Sequence, residues 1–135
     1  MIRTLPLLLG ALLAFPAAAE KLPAAEFEKA LKDSIRDVNS RLPRMLDNDI
    51  RWEKVSGGNR RLRYHYTLVN YDAAQVDAAL LKKRQAPREL ASSCSPNMAL
   101  YIENDVTLSY EYRGRDGREV MTITVTPAMC RQARR

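Results

Sequence analysis

The sequence is poor in histidine and cysteine, with one histidine and two cysteines among 135 residues. Zinc-type sites need about three or four ligands, so a single histidine argues against a metal site. His65 could act as a base only beside a nucleophile or an orienting carboxylate, and the sequence places neither near it. We therefore expect no enzyme activity, no metal and no cofactor, and we interpret His65 as a structural or surface residue.

The sequence also lacks an apolar run of the about 20 residues that a membrane-spanning helix needs. Its apolar residues 5–15 follow the positive charge of Arg3 and precede three alanines at 17–19. This order is typical of a signal peptide that is cleaved before Glu20, with a short membrane anchor as the alternative. We predict that the protein is exported to the periplasm or secreted, and that residues 20–135 form a single domain.

Export gives the two cysteines, Cys94 and Cys130, a structural meaning, because disulfides persist in oxidising compartments. They are too far apart in the sequence for the CxxC spacing of a redox pair. Only one intramolecular pairing exists, and it would close a loop of about 36 residues. We predict a structural disulfide that stabilises the fold by roughly 3–4 kcal/mol.

Hydrophobic periodicity predicts an α+β fold. Apolar residues recur at spacings of three or four across residues 23–42, which is typical of a helix, and Asp72 is a candidate N-cap for a second helical region. Residues 50–55 and 61–69 alternate in polarity on either side of a glycine-rich turn, and so do residues 106–112 and 119–125. We expect two hairpins that form a four-stranded, mostly antiparallel sheet with helices packed on one face.

The two halves share a short motif that suggests a repeated helix–strand–strand unit. Residues 46–50 (Leu-Asp-Asn-Asp-Ile) resemble residues 102–106 (Ile-Glu-Asn-Asp-Val), and each segment precedes a predicted hairpin. Two unrelated hairpins entered by similar acidic turns are the alternative. In equivalent halves the carboxylates of Asp47, Asp49, Glu103 and Asp105 could bind calcium, but the twelve-residue calcium-loop spacing is absent. We interpret them as turn and capping residues.

Several motifs between residues 42 and 130 resemble a family of small exported bacterial proteins of unassigned function. They are Leu42-Pro43-x-Met45, Asp47-Asn48-Asp49, Tyr64-x-Tyr66-Thr67-Leu68-Val69-Asn70, Cys94, Met98, Asn104-x-Val106-Thr107-x-Ser109-Tyr110-x-Tyr112, Asp116-Gly117, Val125-x-Pro127 and Cys130. The resemblance implies export, two paired cysteines and a single α+β domain. It implies no reaction and no site residue.

Four of the six tyrosines alternate along two predicted strands. They are Tyr64, Tyr66, Tyr110 and Tyr112. We expect them to form aromatic pairs across strands on the packed face of the sheet. A platform on which a ligand stacks is the alternative.

Positive charge dominates the sequence, with a net charge of +6, and arginines flank both predicted hairpin turns. The two groups are Arg60, Arg61 and Arg63 at the first turn, and Arg113, Arg115 and Arg118 at the second. If both turns lie at the same end of the sheet, six guanidinium groups converge on a surface suited to phosphate, sulfate or carboxylate groups. A solvated surface that only aids solubility is the alternative.

These features predict a non-enzymatic secreted or periplasmic binding protein. It would engage an anionic polysaccharide, lipopolysaccharide or a protein partner through the arginine-rich hairpin ends. Export makes nucleic acid a less favoured partner. The alternative function is an inhibitor or immunity-type factor that blocks an envelope enzyme with a basic hairpin.

Overall fold

A computed structural model describes residues 21–134, and the predicted export signal at residues 1–19 lies outside the described residues. The elements are α1 (Ala24–Asn39), β1 (Arg44–Met45), β2 (Ile50–Gly58), β3 (Arg61–Leu68), α2 (Ala78–Ser93), α3 (Ala99–Glu103), β4 (Thr107–Gly114), β5 (Glu119–Val125) and α4 (Pro127–Ala133). Short 3-10 turns, Ala73–Gln75 and Pro96–Met98, flank α2. Between residues 21 and 134, no helix is both long and apolar enough to cross a bilayer.

The strands form one mixed sheet in the order β1-β2-β3-β4-β5. Three of the neighbouring pairs are antiparallel, whereas β3 and β4 are parallel, from Arg61 opposite Thr107 to Leu68 opposite Gly114. The predicted α+β class is confirmed, but the sheet has five strands instead of four. The additional strand, β1, has only two residues and therefore shows no alternation of polarity that could have predicted it.

The parallel contact between the hairpins follows from the long segment that connects them. Residues 69–106 join β3 to β4 and include the 16-residue helix α2. A parallel pair needs a crossover of about a dozen residues or more, usually with a helix, and this segment provides it. Both halves show the order helix, strand, strand, yet their hairpins point in opposite directions. Internal duplication stays a prediction.

Helix α2 begins later and continues further than the sequence suggests. The Asp77 carboxylate accepts a hydrogen bond from the backbone N–H of Leu80 at 3.1 Å and caps the helix. Asp72, the predicted N-cap, begins the 3-10 turn that precedes it. A proline inside a helix usually ends or kinks it, but α2 continues through Pro87 to Ser93.

The packed face of the sheet carries the aromatic residues, and α1 and α2 cover it. Phe27 of α1 is fully buried. From α2, Ser93 Oγ lies 2.6 Å from Tyr110 Oη, and Glu89 accepts a hydrogen bond from Tyr112 Oη at 2.5 Å. The opposite face, called the open face below, is polar. Its residues on β3 and β4 are Arg61, Arg63, His65, Thr67, Thr107, Ser109, Glu111 and Arg113.

The predicted disulfide is present between Cys94 and Cys130, with an S–S distance of 2.05 Å. Cys94 ends α2, and Cys130 lies in α4 directly after the last strand. The bond therefore ties the crossover helix to the C-terminal end of the sheet. Cys130 is completely buried and belongs to the hydrophobic core, as expected of a structural bond.

Candidate functional site

The two arginine-rich turns lie at opposite ends of the sheet, so the six guanidinium groups do not converge. The first turn precedes Arg61, which pairs with Thr107, and the second follows Gly114, which pairs with Leu68. Strand β3 separates these positions by its whole length of eight residues, roughly 23 Å. The predicted convergence is wrong, because it assumed that both hairpins point the same way.

Arg63 and Arg113, one from each arginine group, meet on the open face at Glu111. Their guanidinium groups lie 2.9 Å and 3.6 Å from its carboxylate oxygens. The Glu111 side chain is only 14% exposed, so this ion pairing is partly shielded from solvent. The parallel register places Arg63 of β3 beside Glu111 of β4. These two of the six predicted arginines therefore share one carboxylate.

His65 lies in the same network, between a hydroxyl and a carboxylate. Its Nε2 is 2.8 Å from Ser56 Oγ, and its Nδ1 is 3.8 Å from Glu111 Oε1. Burial lowers the pKa of His65, with a smaller opposing effect from Glu111. Hydroxyl, imidazole and carboxylate occur in this order in nucleophilic enzymes. Here, however, two arginines share the carboxylate, and we retain the interpretation that His65 is structural and links β2, β3 and β4.

The first turn holds Arg60 in place and leaves Arg61 exposed. Asn59 and Arg60 have φ angles of 53° and 60°, the backbone that a two-residue hairpin loop requires. The Arg60 guanidinium donates to the backbone oxygen of Asn104 at 2.5 Å and lies 5.4 Å from the ring centre of Phe27. Arg61 makes no ion pair anywhere between residues 21 and 134.

The second turn packs against the segment that follows β3. Arg115 Nε lies 2.9 Å from Asp72 Oδ1, and Arg118 Nε lies 4.0 Å from Asp116 Oδ2. Asp116 also accepts a hydrogen bond from the backbone N–H of Ala73 at 3.1 Å, which lowers the pKa of its carboxyl group. These arginines are exposed, but Arg115 mainly fixes the position of the turn.

The acidic turns are also at opposite ends of the sheet. Asp47 Oδ1 accepts hydrogen bonds from the backbone N–H groups of Asp49 and Ile50, both at 2.8 Å, as expected of a turn residue. Asp105 lies at the other end and pairs with Lys21 at 2.8 Å, and this contact lowers its pKa. Within the described chain, no cluster of three or more histidine, cysteine, aspartate or glutamate side chains could hold a metal ion.

The tyrosines form the predicted cross-strand contacts on the packed face. The rings of Tyr64 and Tyr110 stack with centres 4.7 Å apart, and those of Tyr66 and Tyr112 meet edge to face at 5.0 Å. Burial raises the pKa of Tyr110 to about 12 and that of Glu89 above its usual range. Because three of these four rings are buried, they do not form an accessible platform for a ligand.

A groove that the sequence did not predict lies between α2 and one end of the sheet. We call it the α2 groove. Its volume is about 400 Å³, and Tyr71 and Leu80, each 44% exposed, lie among its lining residues. Leu46, equally exposed, directly precedes the lining residue Asp47. The other apolar residues that line the groove are Ile50, Leu68, Val76 and Leu81. They come from separate segments, so no local pattern reveals the groove.

Charged residues of both signs border the α2 groove. The carboxylates are Asp47, Asp49 and Asp77, and the guanidinium groups belong to Arg84 and Arg88. The two arginines project from α2 and form no ion pair within residues 21–134. The groove therefore offers an apolar surface between acidic residues and basic ones.

Comparison with known proteins identifies a shared fold. No protein-family model and no curated protein matches this sequence. The crystal structure of a candidate secreted protein from Pseudomonas aeruginosa superposes with a TM-score of 0.65 at 17% identity, covering 85% of this chain and 99% of that chain. The pilotin EpsS from the Vibrio vulnificus type 2 secretion system superposes with a TM-score of 0.62 at 11% identity, covering 78% and 93%. The chain thus shares its fold with a candidate secreted protein and with a pilotin.

Proposed function

We propose that this chain is a non-enzymatic binding protein of the bacterial envelope and that it binds another protein in the α2 groove. The observation that carries the proposal is the set of exposed apolar side chains at the groove, above all Tyr71 and Leu80. Contiguous exposed apolar surface that is rimmed by polar residues is typical of interaction sites.

The lining of the groove defines the chemistry of the partner. An amphipathic helix could place its apolar side chains on Tyr71 and Leu80, as helices do in apolar grooves of other proteins. A basic side chain on the partner would face Asp47, and an acidic one would face Arg84 and Arg88. We therefore expect a partner segment with one apolar face and charges of both signs beside it.

The fold and the disulfide support a role outside the cytoplasm. One protein with this fold is a candidate secreted protein, and another is a pilotin from a type 2 secretion system. The Cys94–Cys130 bond suits an oxidising compartment. Together they favour export and, from the pilotin, a protein partner in the envelope.

Binding of an anionic polysaccharide or lipopolysaccharide at the hairpin ends stays a prediction. The separation of the two turns leaves two small basic sites, with Arg61 at one end and Arg118 at the other. Each would contribute fewer charges than the single site that the sequence suggested, and salt would weaken its binding more strongly than binding in the apolar groove.

Affinity capture with the mature protein tests the proposed function. The protein is immobilised and exposed to envelope extracts of its source cells at low and at high salt. We expect a protein that is retained at high salt and lost, by about tenfold or more, when Tyr71 and Leu80 are both changed to Ser. The purified partner should then bind the mature protein in solution and not the double variant.

A matched variant, Arg61→Ser with Arg118→Ser, separates the two hypotheses. It removes exposed charges at the hairpin ends and leaves the groove unchanged. If this variant loses the partner while the groove variant retains it, the groove proposal is wrong and the anionic-ligand prediction gains support. Recovery of an envelope enzyme that the bound protein inhibits would identify the inhibitor alternative.

A further inference from the structure

Strand β5 presents an unprotected edge. It is the last strand of the sheet, and its outer side pairs with no strand in residues 21–134. Residues 120–125 read Val-Met-Thr-Ile-Thr-Val and include no charged residue, proline or glycine. Edge strands of natural proteins are usually short, charged, bulged or covered, because their free N–H and C=O groups can pair with another chain. The edge is bulged at Val120, where β5 has one residue more than β4, but residues 121–125 carry no charge, no proline and no bulge.

A second groove runs along this edge, between β5, α2 and α4. It has a volume of about 580 Å³ and is lined by the four consecutive strand residues 122–125. Successive side chains of a strand point to opposite faces, so a groove that touches all four residues follows the backbone edge. Its apolar wall comes from the helices. The wall residues are Ala86, Pro87, Leu90 and Met129.

Two lysines give this groove a positive charge. Lys82 and Lys83 line it from α2, are exposed, and form no ion pair in the described part of the chain. A free strand edge, an apolar wall and two unpaired ammonium groups thus lie together. We propose that the β5 edge binds an extended, acidic segment of a partner protein as a sixth strand of the sheet.

The parts of this surface would each recognise one feature of the segment. Backbone groups of β5 would pair with the backbone of the segment, as in other cases of strand addition. Apolar side chains at every second position would lie against Leu90 and Ile123, and carboxylates on the same face would pair with Lys82 and Lys83. The open-face side of β5, with Thr122 and Thr124, suits small polar side chains.

Charge disfavours a second copy of this chain as the occupant. Two β5 edges paired antiparallel would place both α2 helices on the same face of one continuous sheet. The lysines of the two copies would then lie on facing helices, where like charges repel. The β5 surface is also separate from the α2 groove, whose lining residues on α2 include Leu80 and Arg84 instead.

Synthetic peptides test this proposal directly. The probe is fluorescein-labelled Glu-Thr-Val-Thr-Ile-Thr-Glu with blocked ends, and the control replaces both glutamates by lysine. Fluorescence anisotropy should show binding of the acidic peptide and about tenfold weaker binding of the basic one. Changing Lys82 and Lys83 to Glu should invert this preference.

Two further measurements distinguish strand addition from other modes of binding. Methylation of alternate backbone nitrogens of the peptide should abolish binding in one register and preserve it in the other. The Tyr71→Ser, Leu80→Ser variant should bind the peptide as the wild type does, because both changes lie in the α2 groove. Peptide binding therefore tests the β5 edge independently of the proposed function. The proposal would be overturned if the peptide does not bind or if neither pattern of methylation weakens its binding. A dimer that forms through β5 in sedimentation experiments would also overturn it.

Discussion

Removal of the Cys94–Cys130 bond should cost the folded state about 4 kcal/mol. The bond spans 36 residues, and a loop of this length restricts the unfolded chain by that amount in the chain-entropy model. Changing both cysteines to Ala should add about 1 kcal/mol, because Cys130 is completely buried and its sulfur leaves a small cavity. Since small domains are stable by only about 5–15 kcal/mol, the variant should be marginally folded.

Urea unfolding of three samples measures this effect: the oxidised protein, the same protein reduced by a thiol, and the double Ala variant. The reduced protein keeps both sulfur atoms, so its loss of unfolding free energy reports the restriction of the chain alone. The additional loss in the double variant reports the packing of Cys130. A loss below about 1 kcal/mol on reduction would refute the entropic role that we assign to the bond.

Two other changes test the packed face and the second turn. Burial raises the pKa of Glu89 in the folded state, so the folded protein binds this proton more tightly than the unfolded chain does. The free energy of unfolding should therefore fall between pH 4 and pH 7, as the Glu89 carboxyl group loses its proton. The Glu89→Gln variant keeps a neutral side chain, so its stability relative to the wild type should increase over the same pH range in urea titrations. An equal difference in unfolding free energy between the variant and the wild type at pH 4 and at pH 7 would contradict this. Gly114→Ala should destabilise the fold by about 1–3 kcal/mol, measured the same way, because its Cβ would lie 2.3 Å from the backbone nitrogen of Ala73.

Local patterns in the sequence were enough to predict most of the elements and the disulfide. Alternating polarity identified β2 to β5, and spacings of three and four identified α1, because both signals are contained in neighbouring residues. The two-residue strand β1 and the exact boundaries of α2 were missed. The former is too short for a pattern, and the latter depends on which of two aspartates, Asp72 or Asp77, caps the helix.

The candidate site was harder to predict because it depends on strand direction. The alternation of β3 and β4 correctly placed Arg63 and Glu111 on a polar face, whereas Arg113 was assigned to the turn. It could not show that β3 and β4 are parallel, and this register is what joins the three residues and separates the two turns. The length of the segment between the hairpins was the one available signal, since only a long crossover permits parallel pairing.

The crossover helix α2 borders both of the grooves in the described chain that we propose as binding surfaces. Leu80, Leu81 and Arg84 face one groove, whereas Lys82, Lys83 and Ala86 face the other. A helix that is packed on a single core shows one apolar stripe, but α2 distributes its apolar residues around its circumference. This distribution of apolar residues is explained if one side of α2 packs on the sheet and its two flanks remain available to partners.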